Sequence, residues 1–522
     1  MDVTLGVAGE MPGLFAYGAT TEAKLGPTLE AADGAGVAEV LCVDEVLQDE
    51  AVEQIARRVL KPDSALRISR WALPSLAAAT NFPPQIARNR WGVYAPHESG
   101  VEGAAEFAHT LERSGLLARG VSVHSLEATQ ILRLKDRFRD HITHVAAPSL
   151  PDVLSLWHKS FDVNALSVEN LRAAAAPDLI VVKPTNGSGS KGVELIDLTS
   201  PDANARLRSA ARTLAYLRGN VASRAIDVHH VQVESFVLGE EFSVEGFFLG
   251  GQTYVGAIHW KPDMHRDLLQ SGNFLEGRFV TLPHSVPEYG LLERINGAIL
   301  ASIPGLGDTV FHAEYRIDAT TGKVFPIEIA GRPAGGTLVE SAAIFSGVSL
   351  YDAGVRLALG LPVTKPAGPF GLAAEGVIFP TQDGILKRLT LQLPGEAAVE
   401  ATRENRGEVA EKLNRWLAQA PRAAVRKMYE RFPQEVPFDS PLRHALQHNF
   451  SSNGIGLDAV VRQMNVWSKP GDPIIGHEGV YLGGLLLASR SGSSDMATLA
   501  DLNAAMGLAL AMFHSEVEPL GN

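Results

Sequence analysis

The chain has a single cysteine, Cys42, so no disulfide can form within it. The thiol sits in the apolar run Val40-Leu41-Cys42-Val43 and reads as a buried structural residue, not a nucleophile. No apolar stretch approaches the roughly 20 residues needed to span a bilayer, which argues against a membrane partner. There is no cluster of Lys and Arg interleaved with aromatics, and the formal net charge is −13, so nucleic acid is not an expected partner. Acidity does not exclude an anionic substrate, because a few local lysines and a metal ion suffice to hold one. The opening segment MDVTLGVAGEMPG carries an acid and no basic stretch, which is not the pattern of a signal peptide. The expectation is a cytoplasmic enzyme.

What is present is ordinary in bulk and informative in arrangement. At 522 residues, 45% hydrophobic and 20% charged, the chain can bury a large core and divide into several domains. No internal repeat is visible. Residues 1–125 alternate short apolar runs (3–8, 38–43, 92–95) with helical stretches (51–59, 104–114), as in a small α/β domain with a parallel sheet. A strong helical pattern runs from Glu127 to His141 with Lys135 near its middle, and the stretch from Pro148 to Pro151 breaks it. Residues 126–235 then hold helices around a glycine-rich hairpin, and 236–365 are rich in strands. The segment PVTKPAG, 362–368, looks like a linker into a C-terminal α+β region, 366–522. There, 373–380 and 384–393 read as strands, and 457–464 and 496–512 as helices.

The hairpin is the first site signal. Leu179 to Leu195 reads LIVVKPTNGSGSKGVEL: a β-branched run ending in Lys183-Pro184, a Gly/Ser loop, and a second apolar segment. A lysine at a strand end beside free backbone amides is a device for holding nucleotide phosphates. Gly187, Gly189 and Gly192 match GxGxxG, but a dinucleotide site needs a helix at that loop. Here Val193 to Leu198 alternates apolar and polar residues, so a strand follows. A P-loop fails because Lys191 is followed by Gly192. The remaining choices are a glycine hairpin that folds over a triphosphate and a surface hairpin with no ligand.

Two later segments sharpen this. In VQVESFVLGEEFSVEG, backbone groups near Ser235 to Val237 can pair with an adenine edge, and Glu241 can accept from ribose hydroxyls; an ordinary hairpin with exposed acids is the alternative. In VFHAEYRIDATTGKVFPIEIAGRPAGG, a turn centred on Thr321 sets Glu314 opposite Glu328, with Cβ atoms roughly 5 Å apart. Two facing carboxylates need a positive group between them. Mg²⁺ with triphosphate oxygens supplies it, and Arg332 on the same face can neutralise a phosphoryl group or a substrate carboxylate. A salt-bridged surface with Arg316 and Arg332 as partners is the alternative. A protein-kinase reading of HRDL at 265–268 fails, because its Asn falls one position late, at Asn273, and no DFG follows.

In their order, LKDRFRD, VVKPTNGSGSKGV, VESFVLGEEFSVEG, HAEYR and EIAGRPAGG resemble the motifs of the ATP-grasp superfamily. The resemblance is to its carboxylate–amine ligases, which include bacterial L-amino-acid ligases, and it covers roughly residues 125–345. It implies an ATP-grasp fold: an N-terminal α/β domain, a small lid, a larger antiparallel-sheet domain and the C-terminal extension. It implies that Lys135 and Lys183 hold the phosphates of ATP, and that Gly187, Ser188, Gly189, Ser190 and Gly192 form the loop closing on them. Glu234, Phe236 and Val237 would border adenine, Glu241 the ribose, and Glu314 and Glu328 would carry Mg²⁺. Arg332 would meet the acyl phosphate or the acid, and Glu276 would orient the amine. Many relatives have Asn where this chain has Ala330, which leaves the number of Mg²⁺ ions open. The partners implied are a small-molecule carboxylate and an amine, with a homodimer as the assembly to test. The alternatives are another acyl acceptor, or nucleotide binding without ligase activity.

Overall fold

The structure is a computed structural model that describes residues 12–18, 22–43, 48–70, 90–187, 189–190, 192–219, 229–263, 277–380, 382–474 and 481–519. The expected strand at 3–8 lies outside them. The N-terminal part forms a parallel sheet in the order β3-β2-β1-β4 from β1 (Pro12–Tyr17), β2 (Glu39–Val43), β3 (Arg67–Arg70) and β4 (Arg90–Tyr94). The parallel sheet is as expected, but β1 occupies PGLFAY, outside the expected strand segments. Gly13 is needed there for close approach: a Cβ would lie 2.4 Å from the Trp91 ring on β4.

The long helix expected over 127–141 is two helices, Leu126–Arg133 and Lys135–His141. Leu134 between them is extended, with φ −102° and ψ 119°. Lys135 therefore opens the second helix, and its amide donates to Thr185 O at 2.7 Å. The break points this lysine at the hairpin beyond Pro184.

That hairpin belongs to a four-stranded antiparallel sheet in the order β5-β8-β6-β7, from β5 (His158–Asp162), β6 (Leu179–Pro184), β7 (Glu194–Asp197) and β8 (His230–Ser235). Strand, glycine loop, strand is confirmed. This sheet has a core of its own, including Leu171, Ile180, Val182, Ile196, Leu207, Val231 and Val233.

The body follows with β9 (Gly239–Leu249), β10 (Gln252–Lys261), β11 (Arg278–Thr281), β12 (Thr309–Asp318) and β13 (Val324–Ala330). The C-terminal part adds β14 (Ala373–Ile378), β15 (Gly384–Leu391), β16 (Val399–Glu400), β17 (Val460–Val466), β18 (Pro473–Ile474), β19 (Gly483–Ala488) and β20 (Phe513–Glu518). One antiparallel sheet runs β13-β12-β9-β10-β11-β14-β19-β17, and β15 pairs with β16, β18 and β20 in another. The boundary drawn at 365/366 thus passes between strands of one sheet. Composition marks PVTKPAG as a linker, whereas the β11–β14 hydrogen bonds join residues far apart in sequence. A second correction concerns 457–464, expected as a helix. Val460–Val466 is a strand whose Val461, Met464 and Val466 are buried against β19. A bulge between Val461 and Gln463 shifts the period-2 alternation and disguises it.

Candidate active site

The site lies on one face of the central sheet. On β9, Glu241-Phe242-Ser243-Val244-Glu245 alternates polar and apolar, so Glu241, Ser243 and Glu245 share a face. His259 and Lys261 on β10 and His312, Glu314 and Arg316 on β12 join them through the register Lys261↔Glu241, His259↔Ser243, Glu314↔Ser243 and Arg316↔Glu241. Such a pattern usually marks a solvated face. Here Glu241, Ser243, Glu245, His259 and Lys261 are all buried.

Glu314 and Glu328 stand directly opposite each other, and the β12–β13 register slips only after that pair. Each has a lysine. Lys261 Nζ reaches Glu314 Oε1 at 2.5 Å, and Lys135 Nζ reaches Glu328 Oε2 at 2.8 Å. The cations of this pair are lysines, where the surface alternative named Arg316 and Arg332. Burial alone would raise the Glu314 carboxyl, but Lys261 and His312 override it and hold it well below the usual carboxylate range. His312 Nδ1 lies 3.0 Å from Glu245, and this contact outweighs burial and lifts the imidazole to about 10.

Glu241 is held between Lys261, at 3.1 Å, and Arg316, which stacks 4.9 Å from the Phe236 ring centre and donates to Val237 O at 3.1 Å. Glu234 faces Lys183 at 2.5 Å and Arg139 at 3.2 Å. Burial opposes its ionisation, yet Arg139 and Lys183 keep its pKa low. The backbone near the expected adenine edge is partly used within the small sheet: Phe236 N donates to Leu179 O at 3.2 Å.

The glycine loop meets the same cations. Lys135 Nζ donates to Gly187 O at 2.6 Å, and Arg133 donates to Asn186 O. Gly189, Ser190 and Gly192 have φ of 62°, 55° and 71°, the left-handed region that glycine adopts without strain. Ser188 and Glu276 lie outside the described residues.

Arg332 follows β13 and is fixed from the N-terminal domain by Glu98 Oε2, 2.5 Å from its Nε. Arg133 lies 3.6 Å from the other Glu98 oxygen. Lys24, from the helix Glu22–Gly34, donates to Ala334 O at 2.6 Å. Burial first, then Arg332, lowers its pKa to about 7. The structure therefore brings Lys135, Lys183, Glu234, Glu241, Glu314, Glu328 and Arg332 into one neighbourhood, and adds Lys261, Glu98, Lys24 and His312. Lys261-Pro262 ends β10 as Lys183-Pro184 ends β6, so the signal used at Lys183 was present at Lys261 also. Nothing local marks Glu98, whose partner is 234 residues away.

The donor set fits magnesium and nucleotide phosphates. Glu314 and Glu328 are two facing hard oxygen donors; Lys135 bonds Glu328, and Lys183 bonds Glu234 in the adjoining cluster. Ala330 offers no donor. Among the described residues no group of three or more His, Cys, Asp or Glu could hold a metal, so phosphate or water oxygens would complete the coordination.

Residues 177–341 match the family model of the ATP-grasp domain. A sequence search of curated proteins gives no significant match. Solved structures share the fold at low identity. The L-amino acid ligase of Bacillus licheniformis aligns over 98% of this chain and 100% of its own, with a TM-score of 0.62 and 15% identity. The biotin carboxylase domain of the Hydrogenobacter thermophilus 2-oxoglutarate carboxylase, a dimer in complex with MgADP, ADP and bicarbonate, aligns over 98% and 92%, with a TM-score of 0.56 and 10% identity. The N5-carboxyaminoimidazole ribonucleotide synthetase of Thermotoga maritima aligns over 98% and 100%, with a TM-score of 0.55 and 12% identity. The α/β architecture is the ATP-grasp fold. No helix among the described residues is long and apolar enough to cross a membrane.

Proposed function

We propose that this chain is an ATP-dependent ligase that joins a small carboxylic or amino acid to an amine and releases ADP and phosphate. The observation that carries this reading is the Glu314/Glu328 pair, flanked by Lys135 and Lys261, within an ATP-grasp domain. Glu314 and Glu328 would hold Mg²⁺, which would supply charge neutralisation at the phosphates.

Lys135 and Lys183 bind the phosphates of ATP, and the loop 187–192 covers them. Phe236, Val237 and Glu241 border the nucleoside. Arg332, braced by Glu98, receives the carboxylate of the acid in line with the terminal phosphate. Attack of that carboxylate on the γ-phosphate gives an acyl phosphate and ADP. A neutral amine then displaces phosphate to form the amide. Glu276 is the proposed orienting group for the amine. The protein's contribution is alignment, charge stabilisation and exclusion of water from the acyl phosphate. The L-amino acid ligase and the MgADP-bearing carboxylase domain, which share the fold, support this chemistry. A homodimer is the proposed assembly, to be checked by light scattering, and the cytoplasm the proposed location.

The test is a phosphate-release screen over pairs of amino acids, other acids and amines, with mass spectrometry of the hits. Release that needs an acid and an amine together, with an amide product, is the expected result. Release with an acid alone would point to another acyl acceptor. ATP binding with no release under any pair would favour a nucleotide-binding protein without ligase activity, the reading that Ala330 keeps in play.

A further inference from the structure

The ligase reading gives residues 366–522 no task, yet two buried contacts tie them to the back of the site. Glu240 and Glu241 are neighbours on β9, so their side chains leave on opposite faces. Glu241 meets Lys261 and Arg316. The Glu240 carboxylate instead takes four bonds: from Trp260 Nε1 at 2.9 Å, Ser440 Oγ at 2.6 Å, Arg443 Nε at 2.6 Å and Arg443 Nη2 at 3.4 Å. Ser440 is the N-cap of the helix Pro441–Asn449, whose positive dipole end thus lies at a carboxylate.

Arg443 is fully buried, 5.3 Å from the Trp260 ring centre and 4.6 Å from that of Phe432. Its Nη2 also donates to Pro262 O at 2.5 Å. Trp260 and Pro262 are the two neighbours of Lys261. One C-terminal side chain therefore holds the chain on both sides of the lysine that reaches Glu241 and Glu314. Next to it, Arg278 makes two 2.6 Å bonds to Asp263 and donates to Asn503 O at 3.1 Å.

We propose that Arg443 is a positioning residue: through Glu240, Trp260 and the Pro262 carbonyl it fixes the end of β10, so that Lys261 and Glu241 stand where the nucleotide site needs them. The C-terminal region is then part of the site's support. This inference rests on the nucleotide reading above.

A merely structural ion pair would cost stability alone, and the chain contains a control. Arg422 binds Asp501 at 2.8 Å within the C-terminal region, with further bonds from Arg422 to Ser451 O and Gly456 O and from Asp458 N to Asp501. The experiment measures ATP affinity by calorimetry, without turnover, alongside melting curves. It compares the wild type, Glu240→Gln/Arg443→Met and Arg422→Met/Asp501→Asn. Removing both members of a pair avoids stranding a buried charge. The first double variant is expected to lose about tenfold or more in ATP affinity, and the control to keep wild-type affinity at a similar loss of melting temperature. Equal affinities in the two double variants overturn the positioning role. Arg443→Lys keeps the charge but not the fork of donors. It covers the case in which the first double variant fails to fold, and unchanged affinity in folded Arg443→Lys overturns the proposal equally. A wild type that binds no ATP overturns the nucleotide reading itself, and this inference with it.

Discussion

The small sheet and the central sheet each carry a lysine–glutamate–arginine cluster built with the same device. Lys183 precedes Pro184 at the end of β6, and Lys261 precedes Pro262 at the end of β10. Each lysine bonds a glutamate on the neighbouring strand, Glu234 or Glu241, which also meets an arginine, Arg139 or Arg316. The difference is a second carboxylate. Lys261 serves both Glu241 and Glu314, while the small-sheet trio has Glu234 alone. That trio has one positive charge to spare; the central four are balanced. A cluster with a surplus cation can accept a phosphate and keep its own bonds. A balanced cluster must release a bond to accept a cation. On the proposed function, the two sheets would serve opposite ends of a metal–phosphate group.

Three experiments would break or sharpen that contrast. The largest effect is expected at the anionic end, where Glu328→Ala removes half of the facing pair. It should abolish ADP and phosphate release, a loss on the order of a hundredfold or more. Full activity in that variant would remove the metal assignment.

The lysines come next. Lys261→Met leaves the buried Glu241 and the part-buried Glu314 short of a cation, and about 3–5 kcal/mol of stability should go with it. Lys183→Met leaves Glu234 with Arg139 and should cost less, about 1–3 kcal/mol, while ATP affinity falls. Urea midpoints of the two variants read the difference directly. A larger loss for Lys183→Met would reverse the comparison.

The smallest effect on activity is expected outside both clusters. Nδ1 of His124 accepts from Gly307 N at 3.0 Å, and burial pushes the imidazole down to about 4. The unfolded chain takes up this proton near pH 6.5 and the folded chain resists it, so stability falls as pH drops from 6.5 toward 4. The slope is at most about 1.4 kcal/mol per pH unit for one such group. Glu234 and Glu314 resist protonation in this window, because neighbouring cations hold both carboxyls below the ordinary range. His124→Gln keeps an acceptor for the Gly307 amide and should flatten the slope. An unchanged pH profile would assign the acid sensitivity elsewhere, with His259, also lowered to about 4, the next group to test.

Much of this was legible from local pattern. The β-branched run before Lys183 and the alternation after Gly192 predict the strands on either side of the glycine loop. The turn at Thr321 predicts the Glu314/Glu328 register, which depends only on counting by twos from a tight turn. What failed was non-local. Leu134 breaks an unbroken helical pattern so that the amide of Lys135 can meet Thr185. The strand Val460–Val466 reads as a helix because a bulge hides its period. The boundary at 365/366 rests on composition, which carries no information about which strands will pair.

The sequence by itself determined the period-2 faces, the strand-end lysines and the opposed glutamates, because each follows from backbone geometry over a few residues. Only the tertiary structure decided that the charged face of β9, β10 and β12 would be buried. Only it decided that Glu98 would brace Arg332 from the N-terminal domain, and that Arg443 would hold the chain around Lys261. Those pairings join residues 181 to 234 positions apart, and the desolvation that sets their charge states comes from packing whole sheets and domains together.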